Sequence, residues 1–165
     1  MKVFGFAGRS GSGKTTLAER VLDRLISQGM KVSVIKHTHH AVDLETPAKD
    51  TWRFREAGAA QVLLASAARW TLMQELRGAP EPELPALLAM LAPCDLVLVE
   101  GFKRHAIPRL EVYRADNGTA PLYPDDPNII AVATDASLST ALPAFGLQDY
   151  EGVAAFILTR AVELR

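Results

Sequence analysis

The sequence of 165 residues contains one cysteine, Cys94, so no disulfide can form within the chain. Because disulfides belong mainly to oxidising compartments, this scarcity favours the reducing cytoplasm. No apolar run approaches the roughly 20 residues that span a bilayer, and a glycine-rich segment stands where a signal peptide would have its apolar stretch. We therefore expect a cytoplasmic protein without membrane contact, in which Cys94 is buried as a small apolar side chain.

The chain also lacks an excess of charge of either sign. It has 18 basic and 19 acidic residues and a formal net charge of -1. A basic surplus is typical of proteins whose main ligand is nucleic acid, so the near-equal numbers of basic and acidic residues disfavour a nucleic-acid-binding protein. Hydrophobic residues make up 48% of the chain, which is ordinary for a globular protein. At this length we expect a single domain over residues 1–165.

Apolar segments of strand length alternate with segments of helical periodicity, which favours an α/β fold. VFGFA (3–7) and KVSVIKH (31–37) predict strands, with a helix between them that ends near Gly29. A unit of this size implies parallel strands and a right-handed crossover. Further strands are predicted at 61–66, 69–76, 95–101, 108–114 and 129–135, and helices after Asp50, at 81–93 and after Asp149.

GRSGSGKT (8–15) matches the phosphate-binding pattern G-x-x-x-x-G-K-[ST]. Its glycines let consecutive backbone N–H groups turn toward one anion, and the helix that follows adds its positive end. We expect Lys14 to reach the β- and γ-phosphates of a nucleotide and the Thr15 hydroxyl to bind Mg²⁺. The predicted nucleotide-binding residues of this segment are Gly8, Arg9, Ser10, Gly11, Ser12, Gly13, Lys14, Thr15 and Thr16.

The strand before the loop and the helix after it supply the context that the motif needs, which makes a chance glycine-rich turn the weaker explanation. The expected fold is a P-loop NTPase-type three-layer sandwich with a mostly parallel central sheet, part antiparallel.

The apolar strand DLVLVEG (95–101) offers two carboxylates as metal partners. Ligands bind at the carboxyl edge of parallel strands, and Glu100 ends this strand. Asp95 lies about 16 Å away at ~3.3 Å per residue and is interpreted as a solvated strand start. Glu100 is therefore the predicted metal-side carboxylate, acting directly or through water. Lys14 and Glu100 are the predicted catalytic residues.

The second strand ends at the same edge with IKHTHH, which contains Lys36, His37, His39 and His40. A stable zinc site is one interpretation, but no cysteine lies nearby and the H-x-H-H spacing fits no closed structural site. Contact with phosphate or substrate is favoured, and a solvated loop is the remaining alternative.

Acidic residues further along offer weaker signals. Asp43, Glu45 and Asp50 could join the Mg²⁺ shell through water, and Asp50 is also an acceptable helix N-cap. The N-K-x-D signature of guanine recognition is absent. Asp135 ends the late strand VATD at the correct edge, where its carboxylate could accept from the N–H groups of guanine. Capping of the following turn is an equally good interpretation of Asp135.

FAGRSGSGKTTL, VSVIKHTHH, KDTWRFREAGA and DLVLVEGFKR together resemble the molybdopterin-guanine dinucleotide biosynthesis protein B family (MobB). Their order and spacing cover about residues 1–115, and the last third is similar mainly through IIAVATD and the final helix. The resemblance implies a protein that binds GTP with Mg²⁺, hydrolyses it weakly and assists the attachment of a guanosine nucleotide to the molybdenum cofactor. The transfer itself would belong to a partner, the molybdenum cofactor guanylyltransferase, with other molybdenum cofactor proteins as further partners.

The resemblance also implies a homodimer whose sheet extends between subunits. It assigns phosphate binding to residues 8–15, the metal to Thr15 and Glu100, and positions near the nucleotide to Lys36, His37 and Asp50. The sequence departs from the family in TPAKD, where Ala48 stands in place of a common glycine.

Two other functions stay open on the same scaffold. A small-molecule kinase or ATP-dependent ligase could use FKRH (102–105) to neutralise phosphate charge, although no arginine-rich lid is evident. A metallocentre-assembly GTPase chaperone could carry a metal on the histidine cluster.

Overall fold

The first strand lies in the middle of a mostly parallel sheet. The computed structural model describes residues 1–38 and 46–164. The chain divides into two units, one of Met1–Thr38 with Leu84–Arg165 and one of His39–Glu83. The elements of the first unit are β1 (Lys2–Ala7), α1 (Lys14–Ser27), β2 (Val32–Lys36), α3 (Leu84–Ala89), β5 (Leu96–Glu100), β6 (Arg109–Tyr113), a 3-10 turn (Ala115–Asn117), β7 (Ile129–Thr134), β8 (Ala144–Gly146), α4 (Tyr150–Arg160) and β9 (Val162–Glu163). Those of the second unit are α2 (Asp50–Glu56), β3 (Gln61–Ala65) and β4 (Trp70–Gln74).

Parallel pairing dominates the sheet of the first unit. Its order is β2-β5-β1-β6-β7-β8, and all of these neighbours run parallel. The short strand β9 pairs antiparallel with β1 at residues Lys2 and Val3. The expected α/β fold with a mostly parallel, partly antiparallel sheet is confirmed. Because the strands are parallel, the residues that follow β1, β2, β5, β6 and β7 meet at one edge.

Helices cover both faces of this sheet, as the three-layer prediction requires. On one face α1 buries Leu17, Val21 and Leu25, which recur every four residues along a helix. The same core contains residues of α4, and the opposite core contains Leu84 and Leu88 of α3 against β5. Apolar burial on both faces explains why β1 and β5 are nearly continuous hydrophobic runs.

The helix boundaries differ from the sequence predictions where the side chains give only weak start and stop signals. Helix α3 occupies Leu84–Ala89, within the predicted 81–93, because the prolines in that segment remove backbone donors. The predicted capping role of Asp50 is wrong: Lys49 is the N-cap of α2, without a side-chain hydrogen bond, and Asp50 is the first helical residue. Asp149 does cap α4, accepting from the Gly152 N–H at 2.9 Å. Strands β8 and β9 were not predicted.

Two other expectations concern single residues. Cys94 is half-buried rather than buried, with its Sγ 3.8 Å from the Met1 Sδ. Ala48, which stands where the family commonly has glycine, has a φ of 67°, the left-handed conformation that glycine adopts without strain. Ala48 thus has a backbone conformation that glycine would adopt more easily.

The second unit contains helix α2 and the antiparallel hairpin of β3 and β4. Its register pairs Leu63 with Leu72 and Ala65 with Trp70 on one face of the hairpin. On the other face Val62 is buried. The Arg77 side chain joins the segment after β4 to the end of α2, because its Nη2 donates to the carbonyls of Arg55 and Ala59 at 2.9 and 3.3 Å. Among the helices of residues 1–38 and 46–164, none is both long and apolar enough to cross a membrane.

Candidate functional site

The glycine-rich loop turns sharply between β1 and α1. Gly8, Gly11 and Gly13 have φ angles of 145°, 74° and 90°, values that residues with a side chain rarely adopt. A Cβ added at Gly8 would lie 2.5 Å from the Val112 carbonyl oxygen. The loop therefore needs glycine both for its angles and for close packing against β6.

Ser12 lies inside this loop with 1% of its surface exposed. Among the described residues, its Oγ has no hydrogen-bond partner. A buried hydroxyl left without a partner loses free energy unless a ligand satisfies it. Together with the positive-φ glycines, this orphaned donor fits a cradle for a phosphate group.

The Lys14 side chain folds back over the loop. Its Nζ donates to the Arg9 carbonyl oxygen at 2.8 Å. Burial lowers the pKa of Lys14 from its ordinary value, Glu100 opposes that shift, and repulsion from Lys103 and Lys36 adds to it. A partly desolvated ammonium near other cations is stabilised by an anion, as phosphate would be.

Thr15, Glu100 and Lys36 meet beside the loop, as predicted from the strand ends. The Thr15 Oγ1 donates to Glu100 Oε2 at 3.2 Å, and Lys36 Nζ lies 3.6 Å from the same carboxylate oxygen. A hydroxyl and a carboxylate are hard oxygen ligands of the kind that Mg²⁺ prefers when phosphates complete its shell. These residues fit the predicted metal, with Thr15 and Glu100 as its ligands.

The peptide after Glu100 packs directly against the end of β2. The register pairs Lys36 with Glu100, and the His37 N–H donates to the Glu100 carbonyl at 2.8 Å. Gly101 has a φ of 100°, and an added Cβ would lie 2.7 Å from the His37 Cβ. Only glycine fits between these strand ends without displacement.

The His37 ring packs on Phe102, with centroids 4.7 Å apart. The backbone thus brings His37 to the carboxyl edge as predicted, with its ring against an aromatic neighbour. His39, His40, Asp43 and Glu45 lie outside the described residues. Within the described ones, no group of three or more His, Cys, Asp or Glu side chains is arranged to hold a metal ion.

A cleft of about 560 Å³ adjoins the other side of the loop. Its walls combine loop, strand-end and α4 residues: Ser12, Gly13, Thr16, Leu17, Arg114, Thr134, Asp135, Gly146, Leu147, Gln148 and Tyr150. Asp135 lies on this wall, as expected for a base-reading carboxylate. The turn after β7 is capped by the Thr134 hydroxyl, which accepts from the Ala136 N–H at 3.0 Å. The role of Asp135 itself stays a prediction.

Arg114 is a site residue that the sequence analysis missed. It directly follows β6, so it reaches the same edge as the loop. Its Nε donates to the Ser12 carbonyl at 3.2 Å, and its Nη1 lies 3.7 Å from Asp135 Oδ2. Its position as the last residue of the predicted strand 108–114 was the signal available in the sequence.

Two buried polar side chains on β6, Arg109 and Glu111, form hydrogen bonds with neighbouring loops. Arg109 donates from Nη2 to the carbonyls of Phe102, at 2.8 Å, and His105, and its Nη1 pairs with Asp126 at 3.4 Å. Burial lowers the pKa of Arg109, and Asp126 opposes the shift. Arg109 thus fixes the loop that follows Glu100.

Glu111 does the same for a second loop. It is fully buried and accepts from the backbone N–H groups of Leu122 and Tyr123 at 2.8 and 2.9 Å. The segment PRLEVYR was predicted as a strand, and alternation gave no hint that its polar residues are buried.

Asp50 lies in the second unit, at the first position of α2. Its predicted place in the Mg²⁺ shell stays a prediction. The nucleotide-binding roles of the exposed residues Arg9, Ser10, Gly11 and Thr16 are likewise predictions, and their backbone belongs to the loop and first helical turn just described.

The parallel sheet, the helices on both faces and the glycine loop between β1 and α1 define an α/β protein of the P-loop NTPase type. The sequence model of the family "molybdopterin guanine dinucleotide synthesis protein B" (MobB) matches residues 3–135. The chain belongs to this family.

Individual relatives agree along nearly the whole length. The chain is 38% identical over 159 residues to the molybdopterin-guanine dinucleotide biosynthesis adapter protein of Escherichia coli K12, covering 94% of this chain and 91% of the relative. It is 40% identical over 158 residues to the protein of the same name from Haemophilus influenzae, covering 94% and 86%. A crystal structure of molybdopterin-guanine biosynthesis protein B superposes with a TM-score of 0.74 at 25% identity, over 95% of this chain and 98% of that one.

Proposed function

We propose that this protein is a GTP-binding accessory protein of molybdenum cofactor maturation, which assists the attachment of a guanosine nucleotide to molybdopterin. The observation that carries the proposal is the glycine loop with Lys14 folded across it and the Thr15–Glu100 pair beside it. Family membership supports the pathway, because the relatives are named adapter proteins of molybdopterin-guanine dinucleotide biosynthesis.

Guanine is the proposed base. The cleft beside the loop is lined by Ser12 and Gly13 and also by Asp135, so a nucleotide with its phosphates in the loop has room for its base there. A carboxylate accepts from the N1 and N2 groups of guanine, whereas adenine presents an acceptor at N1. Asp135 therefore supports a preference for GTP over ATP.

Hydrolysis of GTP is proposed to be slow. Fast phosphoryl transfer needs stabilised charge on the γ-phosphate oxygens and a positioned water. Lys14 supplies part of the charge, and Mg²⁺ held by Thr15 and Glu100 would supply more. Arg9 is exposed on the loop and is the candidate for an arginine acting from a second subunit. Without such help the protein holds GTP rather than consuming it.

A homodimer and a guanylyltransferase partner complete the proposal. The β3–β4 hairpin exposes an apolar face of Leu63, Leu72 and Trp70, which are 60%, 44% and 66% exposed. Apolar side chains clustered on one face of an isolated hairpin support burial against another chain. Together with the homodimer that the family resemblance implies, this face supports self-association in the cytoplasm.

Equilibrium binding of GTP and ATP with Mg²⁺ tests the nucleotide proposal. We expect GTP to bind at least about tenfold more tightly, a difference of about 1.4 kcal/mol. Preference for ATP would contradict it. Turnover that accelerates with one added metabolite would instead support a kinase or ligase, and stoichiometric transition metal in the purified protein would support a metallocentre chaperone.

A further inference from the structure

Lys36 reaches the same two oxygen groups that the proposed function gives to Mg²⁺. Its Nζ lies 3.4 Å from Thr15 Oγ1 and 3.6 Å from Glu100 Oε2. Thr15 Oγ1 also donates a hydrogen bond to Glu100 Oε2 at 3.2 Å, so the three side chains form a triangle of contacts. A positive charge thus contacts both predicted metal ligands at once.

The fold itself produces this triangle. Lys36 is the last residue of β2 and stands in register with Glu100, the last residue of β5. Thr15 lies in the first turn of α1, directly after the loop. The three side chains start from different elements that meet at the carboxyl edge, so the contact follows from the topology.

An ammonium and a divalent cation cannot share this small group of oxygens, because like charges at contact distance repel strongly. The Lys36 side chain is 56% exposed, whereas that of Glu100 is 16% exposed, so water reaches the ammonium side of this pair and can replace the carboxylate as its partner. Its flexible four-carbon stem lets the ammonium move without a change in the backbone.

We propose that Lys36 is a counter-ion built into the metal position, which neutralises Glu100 while Thr15 and Glu100 hold no metal. When these oxygens take up a divalent cation, the cation replaces Lys36 as the counter-charge of Glu100 and the exposed ammonium turns toward solvent. Lys36 therefore allows a nucleotide to bind before its metal. The inference rests on the proposed nucleotide-binding function of the same site and adds a role for Lys36 that depends on the metal.

Lys103 provides a matched control. Both Lys103 and Lys36 lower the pKa of Lys14 by repulsion, so both contribute positive charge to the loop. Within the described residues, however, Lys103 makes no hydrogen bond or ion pair with Thr15 or Glu100. Substitution of Lys103 removes positive charge near the loop but keeps the contacts among Lys36, Thr15 and Glu100.

The test compares Lys36→Met and Lys103→Met by equilibrium binding of a fluorescent GTP analogue, with excess EDTA and with saturating Mg²⁺. Without Lys36 the Glu100 carboxylate is not neutralised and repels the phosphates, so we expect Lys36→Met to weaken metal-free binding about tenfold. With saturating Mg²⁺ we expect the affinity of Lys36→Met for the GTP analogue to fall less than about threefold. The Mg²⁺ concentration that gives half of the gain in affinity should be lower for Lys36→Met than for the wild type. Lys103→Met should weaken both conditions alike. Equal losses for Lys36→Met in EDTA and in Mg²⁺ would overturn the proposal.

A second measurement needs no nucleotide. Binding of Mn²⁺ to the protein alone, followed by electron paramagnetic resonance, should be tighter in Lys36→Met than in the wild type and unchanged in Lys103→Met. Unchanged Mn²⁺ affinity in Lys36→Met would contradict the role of Lys36. If the wild type bound no GTP, the proposed function would fail, and the Mn²⁺ comparison would still decide whether Lys36 occupies the metal position.

Discussion

Arg114 and Asp135 form a polar pair on the wall of the cleft beside the phosphate loop. Arg114 is also hydrogen-bonded to the Ser12 carbonyl, so it joins the loop to the carboxylate proposed to read the base. The pair is close to half exposed on each side, and such a pair adds little to folding stability. We therefore expect its substitutions to act on ligand binding.

The change Asp135→Asn tests base recognition. An amide cannot accept two hydrogen bonds from guanine through the same pair of oxygens, and its NH₂ group would face the donors of the base. We expect GTP affinity to fall about tenfold or more, with ATP affinity nearly unchanged, in a competition titration.

Asp116→Asn in the nearby 3-10 turn is the control, because Asp116 is exposed and does not line the cleft. Parallel losses for GTP and ATP in Asp135→Asn would mean that Asp135 does not discriminate between the bases.

Gly101 sets the spacing between the ends of β2 and β5. Gly101→Ala introduces a Cβ 2.7 Å from the His37 Cβ at a residue with positive φ. The φ strain costs about 1–2 kcal/mol, and overpacking adds about 1–3 kcal/mol. We expect the free energy of unfolding in urea to fall by at least 2 kcal/mol, taking the lower end of both ranges.

Gly29→Ala separates these two effects. Gly29 also has a positive φ, 84°, but an added Cβ would meet no atom within 4 Å. It should show the φ strain alone. Equal destabilisation of the two variants would mean that the β2–β5 spacing tolerates a methyl group at Gly101.

The elements differ in how far the sequence could predict them. Strand β1, helix α1 and the loop between them were predictable because a phosphate motif, a glycine stop and four-residue apolar spacing agree. Glu100 and Lys36 were predictable because parallel strands end at one edge. Arg109 and Glu111 were not, since their partners are backbone groups of loops distant in sequence.

Short and weakly specified features were missed for a related reason. Strands β8 and β9 have three and two residues, too few for a periodic pattern. Lys49 caps α2 through its backbone, so no side-chain signal marks that start. Pairing across the chain determines such features, and a single sequence does not record it.

Self-association is predicted to depend on the exposed hairpin face. Leu63→Glu places a charge beside Leu72 on that face. We expect sedimentation equilibrium to show a wild-type dimer and at least about tenfold weaker dimerisation of the variant, because a charge buried without a partner is costly.

Thr71→Glu adds the same charge on the opposite face of the hairpin, where Thr71 is exposed and pairs with Leu64. It should leave the dimer nearly intact. A monomeric wild type, or dimerisation equal in Leu63→Glu and the wild type, would exclude this face as the interface.

The central claim is that the chain binds GTP through its phosphate loop to assist a guanylyltransferase. The most direct measurement is the rate of molybdopterin guanine dinucleotide formation by the purified guanylyltransferase, with added wild-type protein or its Lys14→Ala variant. We expect the wild type to raise the rate and Lys14→Ala to have lost this effect, because Lys14 is the cation that closes the loop. Equal stimulation by both proteins, or none by the wild type, would contradict the account.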